Sequence, residues 1–229
     1  MRNNLKALSD FRVFLNYPFD EEFEPLAHAM HFAVVATGLI PTCARDVSAP
    51  DRPRLEMLVD IISNSHYSVH DFSRYKGEGE MNFARFNMPI EMGMALFYAF
   101  STDQREHRCA FFVDTSHDYQ RFASDLAGLD PRHHNNKDLL MLTSIYEWLR
   151  EMGEGDDNMI PTVEVQEQFR RFQKELERVN GSGENGRPTH NESQELMYQM
   201  CSAFEWWHWR DRDNKFKSSF PIWPLSWKP

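Results

Sequence analysis

FRVFLNYPFDEEFEPLAHAMHFAVVATG, residues 11–38, decides the fold. Its first seven residues are mostly apolar, reach the polar Asn16 and stop before Pro18, the pattern of a short strand buried on both faces. From Glu21 onward Phe23, Leu26, Met30 and Val34 recur at helical spacing as far as Gly38, a residue suited to the position just past a helix end. The strand-helix pair then repeats. LIPTCARD (39–46) reads as a weaker strand, and after the turn APDRPR the residues Leu55, Leu58, Val59 and Ile62 follow the template of an amphipathic helix. HYSVHDFSR (66–74) is a third strand running into the polar loop SRYKGEGEMNFARF. Asn87 can then cap a helix whose first turn tolerates Pro89. HRCAFFVDT (107–115) closes a β-α-β-α-β-α-β series, which predicts a parallel sheet with helices on both faces.

Beyond Ser116 the strand signals stop, which divides the chain into a nucleotide-binding core over 1–130 and a helical extension over 131–229. Leu139, Leu142, Tyr146 and Leu149 mark one helix. Val165, Phe169, Phe172, Leu176 and Val179 mark another, either a seam of about two heptads or a helix lying on the core. A last helix around Glu192 to Trp209 leads to the Pro-rich tail FPIWPLSWKP. Consecutive aromatics at Trp206, Trp207 and Trp209 cannot share one helix side, so they either pack on two sides or anchor an interface. With the short seam, the second reading predicts a homo-oligomer or a regulatory protein partner.

The 229 residues carry 25 Lys and Arg against 35 Asp and Glu, a formal charge of -10 that repels phosphate backbones and disfavours a nucleic-acid partner. Cys43, Cys109 and Cys201 form no CxxC, which fits a reducing, cytoplasmic compartment. The N-terminal MRNNLKALSD has no apolar signal core. Runs such as ALFYAF are too short to span about 30 Å of hydrocarbon, so no membrane association is expected. Ten histidines include no HExxH or other recognised ligand spacing, and no metal or other cofactor is expected; neither GxGxxG nor a P-loop occurs. Cys43 reads as a small core residue rather than a nucleophile.

Ligands of open parallel sheets bind outside the carboxyl ends of the strands, where loops and helix N-termini converge. That rule gathers Asn16 to Asp20, Cys43 to Asp46, Asp71 to Arg74 and the helix start bearing Glu91. The pocket so formed combines aromatics (Tyr17, Phe19, Phe86), carboxylates (Asp20, Asp71, Glu91) and cations (Arg45, Arg74), which suits a base and ribose better than bare phosphate. One well-placed carboxylate can stabilise an oxocarbenium-like state or trap the sugar covalently. A Glu in a first helical turn also complements the helix macrodipole, by about 0.3–1 kcal/mol.

VFLNYPFDEEF, SVHDFSR and RFNMPIEMGMAL, in that order over residues 11–115, resemble the bacterial TIR-like and nucleoside 2-deoxyribosyltransferase-like superfamily. The resemblance implies a flavodoxin-like α/β core and hydrolysis or transfer at an N-glycosidic bond. NAD is implied as substrate rather than cofactor, in a bacterial phage-defence effector. It implies Glu91 as nucleophile or catalytic acid, with Tyr17, Phe19, Asp20 and Asp71 at the nucleoside; Arg45, Ser73, Arg74, Asn87 and Met88 complete the candidate substrate-binding set. The alternative is a non-catalytic nucleotide-sensing or TIR-like assembly module. The loop carrying KGEGE and the C-terminal helices depart from the family pattern.

Overall fold

The computed structural model describes residues 12–46, 51–74, 86–101, 107–114, 118–121, 123–154, 160–179 and 181–203. The KGEGE loop, the tryptophan cluster and the Pro-rich tail lie outside them. The described strands are β1 (Arg12–Asn16), β2 (Ile40–Cys43), β3 (Tyr67–Asp71), β4 (Arg108–Val113) and β5 (Arg132–His133). The helices are α1 (Glu24–Ala36), α2 (Arg54–Ser63), α3 (Asn87–Ser101), α4 (Asp138–Leu149), α5 (Thr162–Arg178) and α6 (His190–Ala203). The five strands form one parallel sheet in the order β2-β1-β3-β4-β5. This is a flavodoxin-like α/β fold, with the change in winding direction between β1 and β3.

Local chemistry accounts for these elements. β1 and β3 are central, and almost every residue in them is buried, as a sheet covered on both faces requires. β2 is an edge strand, where Pro41 costs no ladder bond in the interior. The Asp20 carboxylate accepts the Phe23 N–H at 2.9 Å just ahead of α1, and Pro25 stands in the first turn. α1 ends at Thr37; the Gly38 and Leu39 N–H groups donate back to Val35 O and Val34 O at 2.8 and 3.3 Å, with Gly38 at φ 75°. That is a complete Schellman closure, and it needs a residue without a Cβ penalty at Gly38.

One sheet face carries α2 and α3, where Phe14, Ala44, Leu58, Ile62 and Ala95 form a cluster. Beside it Phe72, Met88, Met92, Phe111, Val113 and Tyr119 form another, reached by the short 3-10 turns between β4 and β5. The other face carries α1, and α4, α5 and α6 cover α1 in turn. α1 is therefore buried from Leu26 to Ala36 with the single exception of His28, and its amphipathic sequence signal is an incomplete description of a helix with no solvent face.

Two features differ from the sequence expectation for physical reasons. β5 is two residues long, too short to leave an alternating pattern, yet it adds a fifth strand beside β4. α4 follows that strand and packs against α1, with Trp148 edge-on to Tyr67 of β3 at 5.8 Å. It thus occupies the place of the last helix of the doubly wound unit. Phe169 and Phe172 of α5 contact Phe32 of α1 at 5.3 and 5.6 Å, so the seam from Val165 to Leu176 packs on the chain's own core, while Val179 at its end is exposed. No helix among the described residues is long and apolar enough to cross a membrane.

Candidate functional site

β1 ends in Asn16, a buried amide at the carboxyl edge of the sheet. Its Nδ2 donates to His70 Nδ1 of β3 at 3.0 Å and to the Met88 carbonyl in the first turn of α3 at 2.9 Å. One side chain therefore ties together the two strands that flank the crevice and the helix that enters it. Because His70 Nδ1 accepts, Nε2 carries the proton and donates to Ser68 Oγ at 2.9 Å. His107 Nδ1 faces the Ser65 carbonyl at 2.8 Å, where only a donor fits, so its Nε2 accepts from Ser68 at 2.9 Å. This polarised chain runs from the carboxyl to the amino edge of β3. Burial lowers the His70 imidazole to about 3, which keeps it neutral in the chain.

Glu91 stands one turn past Met88 in α3 and is 6% exposed. Among the described residues its carboxyl has no hydrogen-bond or ion-pair partner. Burial raises it from 4.5 to about 7, against a smaller lowering by the Arg54 charge at the start of α2. Asn87 is exposed at the helix start, and Met88 is buried among Phe72, Met92 and Phe111.

The loop after β3 is bridged to the loop after β1: Arg74 Nη2 lies 3.2 Å from Asp20 Oδ1 and 2.7 Å from Glu22 Oε2. Asp71 is fully buried. Its Oδ1 accepts the Ser73 N–H at 2.9 Å and the Ser73 hydroxyl. His134, just past β5, accepts the Asn136 N–H on Nδ1 and so presents Nε2–H to Ser73 Oγ at 2.8 Å, with Asp71 Oδ2 3.1 Å from the same nitrogen but not hydrogen-bonded to it. The Ser73 proton points to the carboxylate rather than to the imidazole, the reverse of an activated serine. Asp71 and Ser73 thus brace the floor of the crevice.

Tyr17 turns to the α1 side. It is 3% exposed, stacks on Phe23, meets Phe19 edge-on at 5.1 Å, and sets its hydroxyl 2.9 Å from His31 Nε2 and 3.6 Å from Cys43 Sγ. The exposed Arg45 lies over the Phe19 ring, 4.5 Å from its centroid. The structure therefore groups the sequence candidates into two neighbourhoods. Asp71 ends β3, Ser73, Arg74 and Asp20 lie in the loops after β3 and β1, and Glu91 stands near the start of α3, whose first turn Asn16 holds. Tyr17 and Arg45 border a small cavity lined also by His28, His31, His190, Gln194 and Met197, and Phe19 packs against both of them outside it. Sequence reading missed Asn16 as an anchor, although a polar residue closing an apolar strand was its signal. It had no means of joining His31, Asp46 and His190, which are far apart in the chain.

A scan against protein-family models finds no match to this chain, and a search of curated proteins finds none. The fold and the crevice define the class: a flavodoxin-like α/β protein with a buried acid at its topological switch point.

Proposed function

We propose that the chain cleaves or transfers across the N-glycosidic bond of NAD or a related nucleotide, as a bacterial phage-defence effector of the TIR-like and deoxyribosyltransferase-like kind, with Glu91 as the catalytic carboxylate. The observation that carries this reading is Glu91 itself: a buried carboxyl, unpartnered among the described residues, at the mouth of a parallel sheet and held near neutrality by burial. The cationic nicotinamide ring beside it favours the ionised form. The carboxylate then bonds to the anomeric carbon while the glycosidic electron pair leaves with nicotinamide, which becomes neutral. Water hydrolyses the glycosyl ester, releasing the sugar product and a proton and regenerating the carboxylate. Arg74 and Asp20 border the ribose side, and Asn16 fixes the helix that carries the nucleophile.

The test is incubation of purified protein with NAD and chromatography of free nicotinamide. Release by the wild type and none by Glu91→Gln is expected; equal release by both removes Glu91 from the chemistry.

A second reading, assembly through this module, is favoured by a different observation. α3 exposes Ile90, Phe97 and Phe100 on one face, at 51, 73 and 77%, and α2 exposes Leu55 and Val59 beside it. A second copy of the chain is the occupant this reading requires.

A further inference from the structure

On the α1 side of the sheet, away from α3 and Glu91, four potential ligand side chains converge from three elements. His31 comes from the middle of α1, Cys43 from the end of β2, Asp46 from the loop after it and His190 from the first turn of α6. One ligand atom from each of His31, Cys43 and His190 lies within 4.8 Å of the others. Cys43 Sγ and His190 Nε2 are 3.6 Å apart. Two ligands on a tetrahedral zinc, with Zn–S of about 2.3 Å and Zn–N of about 2.0–2.1 Å, stand about 3.6 Å from each other. Asp46 Oδ1 lies 2.8 Å from the same His190 nitrogen and 3.3 Å from the Gln194 amide, and its Oδ2 is held by the Cys43 N–H at 2.6 Å, so Asp46 stands beside the three and would reach an ion by exchanging the Oδ1 hydrogen bonds for it.

We propose that His31, Cys43, Asp46 and His190 form a binding site for a tetrahedral divalent cation of the zinc type. The donor set is two imidazoles, a thiolate and a carboxylate, which is borderline-soft and favours zinc over magnesium or calcium. A thiolate and a carboxylate together neutralise a divalent ion, so the buried site holds no net charge when filled. The surroundings supply an outer-shell partner. Tyr17 OH, 2.9 Å from His31 Nε2, can orient that ring, while the Gln194 amide, 3.3 Å from His31 Nδ1 and 3.0 Å from His190 Nε2, holds the place that an ion would take and would have to turn aside on binding. The adjacent cavity, lined by His28, His31, His190 and Gln194, gives an entry path. A purely structural network would also pin α6 to β2, but it would bind no metal. Because the ligands come from α1, β2 and α6, a bound ion would clip the last described helix to the core.

The test uses the full chain stripped with a chelator and titrated with Co²⁺, followed by Zn²⁺. One equivalent of Co²⁺ is expected to give a thiolate charge-transfer band with tetrahedral visible bands, and one equivalent of Zn²⁺ to displace it. Cys43→Ser should abolish the charge-transfer band, His190→Gln should weaken binding by at least about 10-fold, and Cys201→Ser should leave both unchanged. Folded wild type, checked by circular dichroism, that gives no band with Co²⁺ overturns the proposal. So does a band that survives Cys43→Ser.

Discussion

Replacing Glu91 by Gln tests the environment of that carboxyl separately from its chemistry. In the folded chain burial holds the group near 7, against 4.5 for an ordinary glutamate. The folded pKa is raised, so folding favours the protonated form. At pH 4 the group is protonated in both states and imposes no penalty. As pH rises from 4.5 through 7 the unfolded chain ionises first, and the wild type loses stability relative to a neutral isostere. At about 1.4 kcal/mol per pH unit, the difference between the two values amounts to about 3 kcal/mol above pH 8. Glu91→Gln is therefore expected to melt close to the wild type at pH 4 and about 6–12 °C above it at pH 8, given about 2–4 °C per kcal/mol for a chain of this size. Differential scanning calorimetry across pH 4 to 8.5 measures this directly. Parallel profiles with a constant gap would refute the idea that burial perturbs Glu91.

Three further outcomes follow from particular contacts. Asn16→Ala should leave the Met88 carbonyl and His70 Nδ1 without their donor, at about 1–3 kcal/mol, read by urea denaturation with unchanged slope. His70 should contribute a fall in stability as pH drops below 6.5, because it is held neutral at about 3 while the unfolded imidazole takes up a proton, alongside His31 and His28, which burial lowers to about 3 and about 4; His70→Gln should remove only the His70 share of that acid limb in a pH series of melting curves. Phe97→Ser with Phe100→Ser should leave the melting temperature within about 2–4 °C, since both rings are largely exposed. If the assembly reading holds, the pair should also shift the species seen by light scattering from oligomer to monomer.

The sheet was legible because its central strands are buried on both faces, and such strands write themselves as apolar runs: VFLN of β1 and AFFV of β4 leave no competing reading. β5 was not, since two residues carry no period, and α4 was separated from the sheet for the same reason. Glu91 could be singled out by its position in a helix start and by resemblance, while its protonation depends on packing that no local pattern records. The His31, Cys43, Asp46 and His190 cluster was invisible because its members are brought together by α6 docking on α1, a contact with no local sequence signature. The heptad-like seam of α5 was ambiguous in sequence because an apolar stripe looks the same whether it faces another chain or Phe32 of its own.

The Schellman-closed α1 has a consequence for synthesis. Its inward side can pack once β1 to β3 have left the ribosome, but its outward side waits for Phe169, Phe172, Met197 and Cys201, far later in the chain. At about 5–20 residues per second that interval lasts roughly 6–26 s. During it a nearly all-apolar helix is half covered, so the nascent chain should be a strong client for chaperones that hold exposed hydrophobic segments.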